Sequence, residues 1–164
     1  MISRQRKPWL VLVALMALNL SLGCGSAESQ DGLDSEGQWK EKIETLGPTA
    51  YHVTQERGTE RAYSGEYWDH KAEGVYNCVI CGTPLFGSET KYRSGTGWPS
   101  FWKPIDDSNI ALQPDRRYSV PQTEVLCGTC GAHLGHVFDD GPDPTGKRYC
   151  INSVALQFEE AGRP

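Results

Sequence analysis

The chain has 164 residues, 38% hydrophobic, 10% aromatic and 23% charged, with 18 glycines and 10 prolines, which is the composition of one modest globular domain and excludes disorder throughout. Its formal net charge is −5. With the leader described next set aside, 13 basic residues face 21 acidic ones, a net charge of −8, and this excludes a nucleic-acid partner, which needs clustered Lys and Arg.

Residues 1–23 carry Arg4, Arg6 and Lys7, then an apolar run from Trp9 to Leu22, then Gly23 before Cys24. This is the layout of a signal peptide, and the run is shorter than the ~18–20 residues a spanning helix needs. Leu20-Ser21-Leu22-Gly23-Cys24 resembles a bacterial lipoprotein cleavage site, although Ser21 stands where leucine is usual. Cleavage there would leave Cys24 as a lipid-bearing first residue and the protein attached to a membrane surface through that anchor only; without lipidation it would be periplasmic or extracellular. Residues 24–37 are small and acidic and form a tether. Ser35 and Gln38 make an S-x-x-Q pattern ahead of Trp39, Ile43 and Leu46, predicting a short helix over 38–46 that Gly47-Pro48 ends.

From Tyr51 onward short β-type runs alternate with Gly, Pro, Asp and Asn: 51–53, 74–79, 84–86, 123–126, 134–138 and 149–158. Such spacing without intervening helices predicts an all-β domain of antiparallel sheets. Cys78-Val79-Ile80-Cys81-Gly82 and Cys127-Gly128-Thr129-Cys130-Gly131 are two C-x-x-C-G units. A two-residue spacer lets both thiolates face one metal, and two such units supply a tetrahedral zinc shell. Disulfides or a redox pair are the competing reading, which an exported location favours. Gly95 to Trp102 sets large aromatics in a glycine- and proline-bounded loop, either as core or as the apolar wall of a ligand site. His133 and His136 follow the second unit directly, as extra ligands, surface residues, or acids and bases working with a nucleophile. Asp140, before Gly141-Pro142, either orients an imidazole or only forms a turn.

Cys150 is the odd cysteine, either a buried hydrophobe or a reactive thiol. Strand alternation puts Arg148, Cys150 and Asn152 on one face, and a guanidinium and an amide beside a thiol favour the nucleophilic thiolate.

Together, Tyr51-His52-Val53-Thr54-Gln55, Gly97-Trp98-Pro99-Ser100-Phe101, the block from Glu124 through Cys127, Cys130, His133 and His136 to Phe138, and Arg148-Tyr149-Cys150-Ile151-Asn152-Ser153 resemble the B-type peptide methionine-R-sulfoxide reductases. The resemblance covers residues 38–160 and leaves 161–164 as a tail. It implies two antiparallel sheets stapled by a structural zinc on Cys78, Cys81, Cys127 and Cys130, with a short N-terminal helix. It also implies reduction of the R epimer of methionine sulfoxide in proteins or peptides, a division of labour already established for the two reductase types. Cys150 is then the nucleophile and His136 the acid, with His133 beside it. Asn152 and Arg148 position oxygen and thiolate, Asp140 belongs to the same catalytic group, and Trp98 and Phe138 hold the substrate's methyl end. Where many relatives carry a resolving cysteine this chain has Thr96, so a thioredoxin-like protein or a small thiol is expected to recycle Cys150. Gln122 stands where arginine is common. Two rivals from other classes are a zinc-ribbon interaction module with no role for Cys150 and a thiol–disulfide oxidoreductase working through metal-free C-x-x-C units.

Overall fold

The computed structural model describes residues 37–162. The leader, Cys24, Ser35 and most of the tether lie outside the described residues. Helix α1 spans Lys40–Glu44, within the expected segment, and its N-cap Trp39 makes no side-chain cap bond. Pro48 does not merely end it. Helix α2 runs Pro48–Glu56 with that proline in its first turn, where a fixed φ and a missing N–H are an advantage. The expected strand at 51–53 is therefore helical, a correction with a visible cause: Val53 and Thr54 form one buried face, and the Thr54 hydroxyl donates to the Ala50 carbonyl one turn back. The helix stops at Arg57 in the left-handed region (φ 59°).

The rest is β structure in two antiparallel sheets. Strands β1 (Gly74–Cys78), β2 (Pro84–Gly87) and β9 (Leu156–Glu160) make a three-stranded sheet in the order β2-β1-β9. Strands β3 (Lys91–Tyr92), β4 (Ser100–Phe101), β5 (Ile110–Asp115), β6 (Gln122–Cys127), β7 (His133–Phe138) and β8 (Arg148–Ile151) make a six-stranded sheet in the order β3-β4-β8-β7-β6-β5. The run read as one strand over 149–158 is two, on different sheets, joined by Asn152 and a 3-10 turn at Ser153–Ala155. The core lies between the sheets: Phe86 of the smaller stacks on Phe101 of the larger with ring centroids 4.5 Å apart, beside fully buried Tyr76, Leu85, Leu134 and Ile151. Among the described residues no helix is long and apolar enough to cross a membrane.

Candidate active site and metal centre

The two C-x-x-C units sit at the tips of the β1–β2 and β6–β7 hairpins, one from each sheet. Each turn is closed the same way, with Gly82 donating to the Cys78 carbonyl and Gly131 to the Cys127 carbonyl, both at 2.9 Å. The glycines have φ of +73° and +72°, a conformation that a side chain would strain, which explains the glycine after each second cysteine. The four ligand atoms of Cys78, Cys81, Cys127 and Cys130 lie within 4.8 Å of one another. Sulfur separations are 3.6 Å for Cys78 and Cys130 and 3.5 Å for Cys81 and Cys127. Those values are far beyond a bonded pair and near the roughly 3.8 Å edge of a tetrahedron with 2.3 Å zinc–sulfur bonds. All five described cysteines are free. Four converging thiols without a disulfide geometry fit a zinc ion, which would hold the two sheets together at this end.

The second constellation lies further along β7. Its register sets His136 opposite Cys150 on β8, and β4 sets Ser100 opposite Cys150 on the other side. As alternation predicts, Tyr149 and Ile151 are buried while Arg148 and Cys150 are partly exposed. Cys150 lines a cavity of about 160 Å³ together with Trp98, Tyr118, His136, Phe138 and Asn152. The aromatic rings make its apolar walls. Trp98 is thus a wall residue, its indole N–H anchored on the Glu60 carbonyl at 3.1 Å.

Each histidine belongs to a row of imidazole, carboxylate and guanidinium. His136 Nε2 lies 2.9 Å from Asp115, and Arg117 grips that carboxylate with bonds of 2.9 and 2.7 Å. The Arg117 guanidinium holds Asp115 far below the usual carboxylate range, against the opposing effect of burial. His133 Nδ1 lies 2.6 Å from Glu124, which Gln113 and the Arg57 guanidinium also contact. Burial raises Glu124, but Arg57, Gln113 and His133 together outweigh it and keep the group low. Burial pushes the His133 imidazole down, more than Glu124 restores. The imidazole rings meet edge to face at 5.4 Å. Only His136 lines the cavity, with Tyr118 edge-on to it at 5.5 Å; His133 stands behind, almost wholly buried.

Three expectations are corrected by this geometry. Asp140 orients no imidazole; it takes two bonds, of 2.7 and 2.8 Å, from Arg148, whose guanidinium then lies 4.3 Å from the Phe138 ring centre. Asn152 lines the cavity, but its amide is tied to the frame, accepting from the Glu60 N–H at 3.0 Å and donating to the Leu134 carbonyl at 2.9 Å. The Cys150 thiol is not driven toward thiolate by its flanks. Burial pushes it up, outweighing the Thr96 hydroxyl and the Arg148 guanidinium, which pull it down.

Sequence reasoning missed Asp115, Arg117, Tyr118, Arg57 and Glu60. Asp115-x-Arg117 is a local acid–base pair whose target, 21 residues on, becomes visible only when β5, β6 and β7 are aligned. Gln122 also lines the cavity, so that departure from the usual arginine faces the site.

Residues 46–160 match the SelR domain. The chain is 56% identical over 125 residues to the chloroplastic peptide methionine sulfoxide reductase B1 of Arabidopsis thaliana, covering 76% of this chain and 60% of that protein. It is 54% identical over 127 residues to the peptide methionine sulfoxide reductase MsrB of Hahella chejuensis, covering 77% and 89%. Against the mitochondrial methionine-R-sulfoxide reductase B3 of Mus musculus the identity is 59% over 116 residues, covering 71% and 46%.

Proposed function

The chain belongs to the SelR domain family of B-type methionine sulfoxide reductases, and from that premise we propose that it reduces peptide-bound methionine R-sulfoxide through a single nucleophile, Cys150. The observation that carries the reading is one cavity holding a partly exposed thiol, an apolar wall and an imidazole. A methionine sulfoxide side chain presents a methyl group for Trp98 and Phe138, an electrophilic sulfur for Cys150 and a basic oxygen for His136. Asp115 holds the His136 ring by Nε2, which leaves Nδ1 to serve the oxygen.

Cys150 sulfur bonds to the sulfoxide sulfur as the oxygen is protonated, because oxide is a poor leaving group. The oxygen passes to Cys150 and methionine leaves, so thiol plus sulfoxide becomes sulfenic acid plus thioether. The sulfenic acid is then returned to thiol by an external dithiol or two small thiols, which become a disulfide with release of water. What supports external recycling is the distance along β7. The other four described cysteines converge at the hairpin tip, and Cys150 is opposite His136, three residues into the strand, about 10 Å further on. A zinc on Cys78, Cys81, Cys127 and Cys130 would act structurally, fixing the start of β7 and hence the histidines. The signal-like segment 1–23 and Cys24 support placing this repair among exported proteins, with membrane attachment through a lipid that fractionation of the cell would detect.

The test is turnover of a peptide carrying R- or S-methionine sulfoxide with dithiothreitol, by the protein and by Cys150→Ser. Reduction of the R epimer alone, abolished in the variant, is the expected result. A folded, metal-loaded protein that reduces neither epimer would sink the proposal and favour the interaction-module reading.

A further inference from the structure

The thiol of Cys150 has a neighbour that the reaction above does not use. Thr96 Oγ1 lies 3.8 Å from Cys150 Sγ. Ser94 Oγ lies 2.8 Å from that hydroxyl and 2.7 Å from the hydroxyl of Ser100. Ser100 is fully buried and donates to the Trp98 carbonyl at 3.2 Å. The chain therefore starts on the nucleophile and ends on the backbone of the residue that walls the cavity.

Counting hydrogens gives this chain a direction. A hydroxyl has one hydrogen to donate, and a carbonyl can only accept. With Ser100 donating to Trp98, Ser94 must donate to Ser100, Thr96 to Ser94, and the Cys150 S–H to Thr96. Every hydrogen then points away from the sulfur, which suits a neutral thiol. A thiolate can only accept, so Thr96 must turn its hydrogen toward sulfur, Ser94 toward Thr96 and Ser100 toward Ser94. The Trp98 carbonyl is then left without the Ser100 hydroxyl. In both arrangements the sulfur and the three hydroxyls stay linked, and no proton enters or leaves the row between them apart from the one Cys150 gives up.

We propose that Thr96, Ser94 and Ser100 form a reversible row of hydroxyls that stabilises the Cys150 thiolate and ties its formation to the backbone of Trp98. The proposal rests on Cys150 as the nucleophile of the reaction above. Thr96 acts on the sulfur directly, and Ser94 and Ser100 are positioning residues that act through it. Linkage makes the coupling reciprocal: anything that draws the Trp98 carbonyl away from Ser100 favours the thiolate.

The experiment is the pH profile of Cys150 alkylation by iodoacetamide, read by peptide mass mapping of the whole chain without sulfoxide, so that it reports the thiolate and not the reductase reaction. In Thr96→Val the profile moves to higher pH and alkylation at pH 7 falls about tenfold, the scale of one hydrogen bond to a charged sulfur. Thr96→Ser returns it to within about twofold, and Ser100→Ala gives an intermediate loss of about threefold. A Thr96→Val profile like wild type overturns the proposal, as does a Thr96→Ser profile like Thr96→Val. A Ser100→Ala profile unchanged from wild type overturns the row beyond Thr96. If the three variants behave as expected in a protein that reduces no sulfoxide, the hydroxyl row stands and the reductase reading falls.

Discussion

The two histidines separate once their neighbours are known. His136 shares the cavity with Cys150 and is held by Asp115, whereas His133 is sealed behind it with Glu124. His136→Asn is therefore expected to lower kcat by about 10²–10⁴, the range for loss of a positioned proton donor, with little change in melting temperature. His133→Gln should do the opposite, altering stability more than turnover. The pH dependence carries a sign. Burial holds the folded-state His133 below its ordinary value of 6.5, so between the two values the unfolded chain binds the extra proton. The stability due to neutral His133 is complete above about pH 6.5 and is lost as the pH falls through that value. Melting curves between pH 7.5 and 5.5 check this, and a His133→Gln variant with the same pH slope as wild type would remove His133 from the account. That pairing was half legible in the sequence. The histidines and Cys150 stood out by spacing, but Asp140 was an unsafe partner because it lies in the β7–β8 connection and meets Arg148 at the start of β8 first. Asp115 is distant along the chain and adjacent only through two antiparallel registers.

At the level of elements, strand periodicity revealed those parts whose side chains alternate between buried and partly exposed positions, such as β1 and β8. It failed at three kinds of place. Tyr51-His52-Val53 has strand-like residue types, yet Pro48 at a first turn and a Val53–Thr54 face make it helical. Strands β3 and β4 are two residues long, too short for any period. Strand β5 is an edge with four successive exposed residues, Ala111 to Pro114, and so has no apolar face to read. The C-x-x-C-G tips were the most legible elements because their requirement is local: two sulfurs, a spacer and a positive φ. They also hold one hairpin of each sheet to the other. We expect one zinc per chain by metal analysis, and a drop of more than about 10 °C in melting temperature when a strong chelator removes it, since ligation at such sites is coupled to folding. Purified protein with four oxidised cysteines and no metal would instead support the disulfide or redox-pair reading.

Across the whole molecule, the two sheets meet at the sulfur cluster and wherever the chain passes from one to the other, first from β2 to β3 and then from β8 to β9. The site lies beside the later passage, where the chain leaves the six-stranded sheet just after Cys150 and enters the smaller one. Glu60, buried in the irregular segment between α2 and β1, secures that passage. Its carboxylate accepts the N–H groups of Ser153 and Val154 at 2.6 and 3.0 Å, its own N–H donates to Asn152 at 3.0 Å, and its carbonyl takes the Trp98 indole N–H. One residue thus fixes the turn after Cys150, the amide that lines the cavity and the aromatic wall. Sequence alone placed it in a Gly58-Thr59-Glu60 stretch shared with the family but gave it no role, because all its partners are more than 35 positions away. Glu60→Ala leaves the buried Ser153 N–H and the part-buried Val154 N–H without an acceptor, the buried one costing about 1–3 kcal/mol and the other less, so urea unfolding should report a loss of about 2–4 kcal/mol. That is a large share of the roughly 5–15 kcal/mol that holds a typical domain. Because the backbone bonds to Asn152 and Trp98 survive the substitution only if the segment stays in place, the rate should fall as well, and Glu60→Gln, which keeps one acceptor, should recover part of both. An alanine variant as stable and active as wild type would mean that the sulfur-cluster end and the core between the sheets hold the turn after Cys150 by themselves.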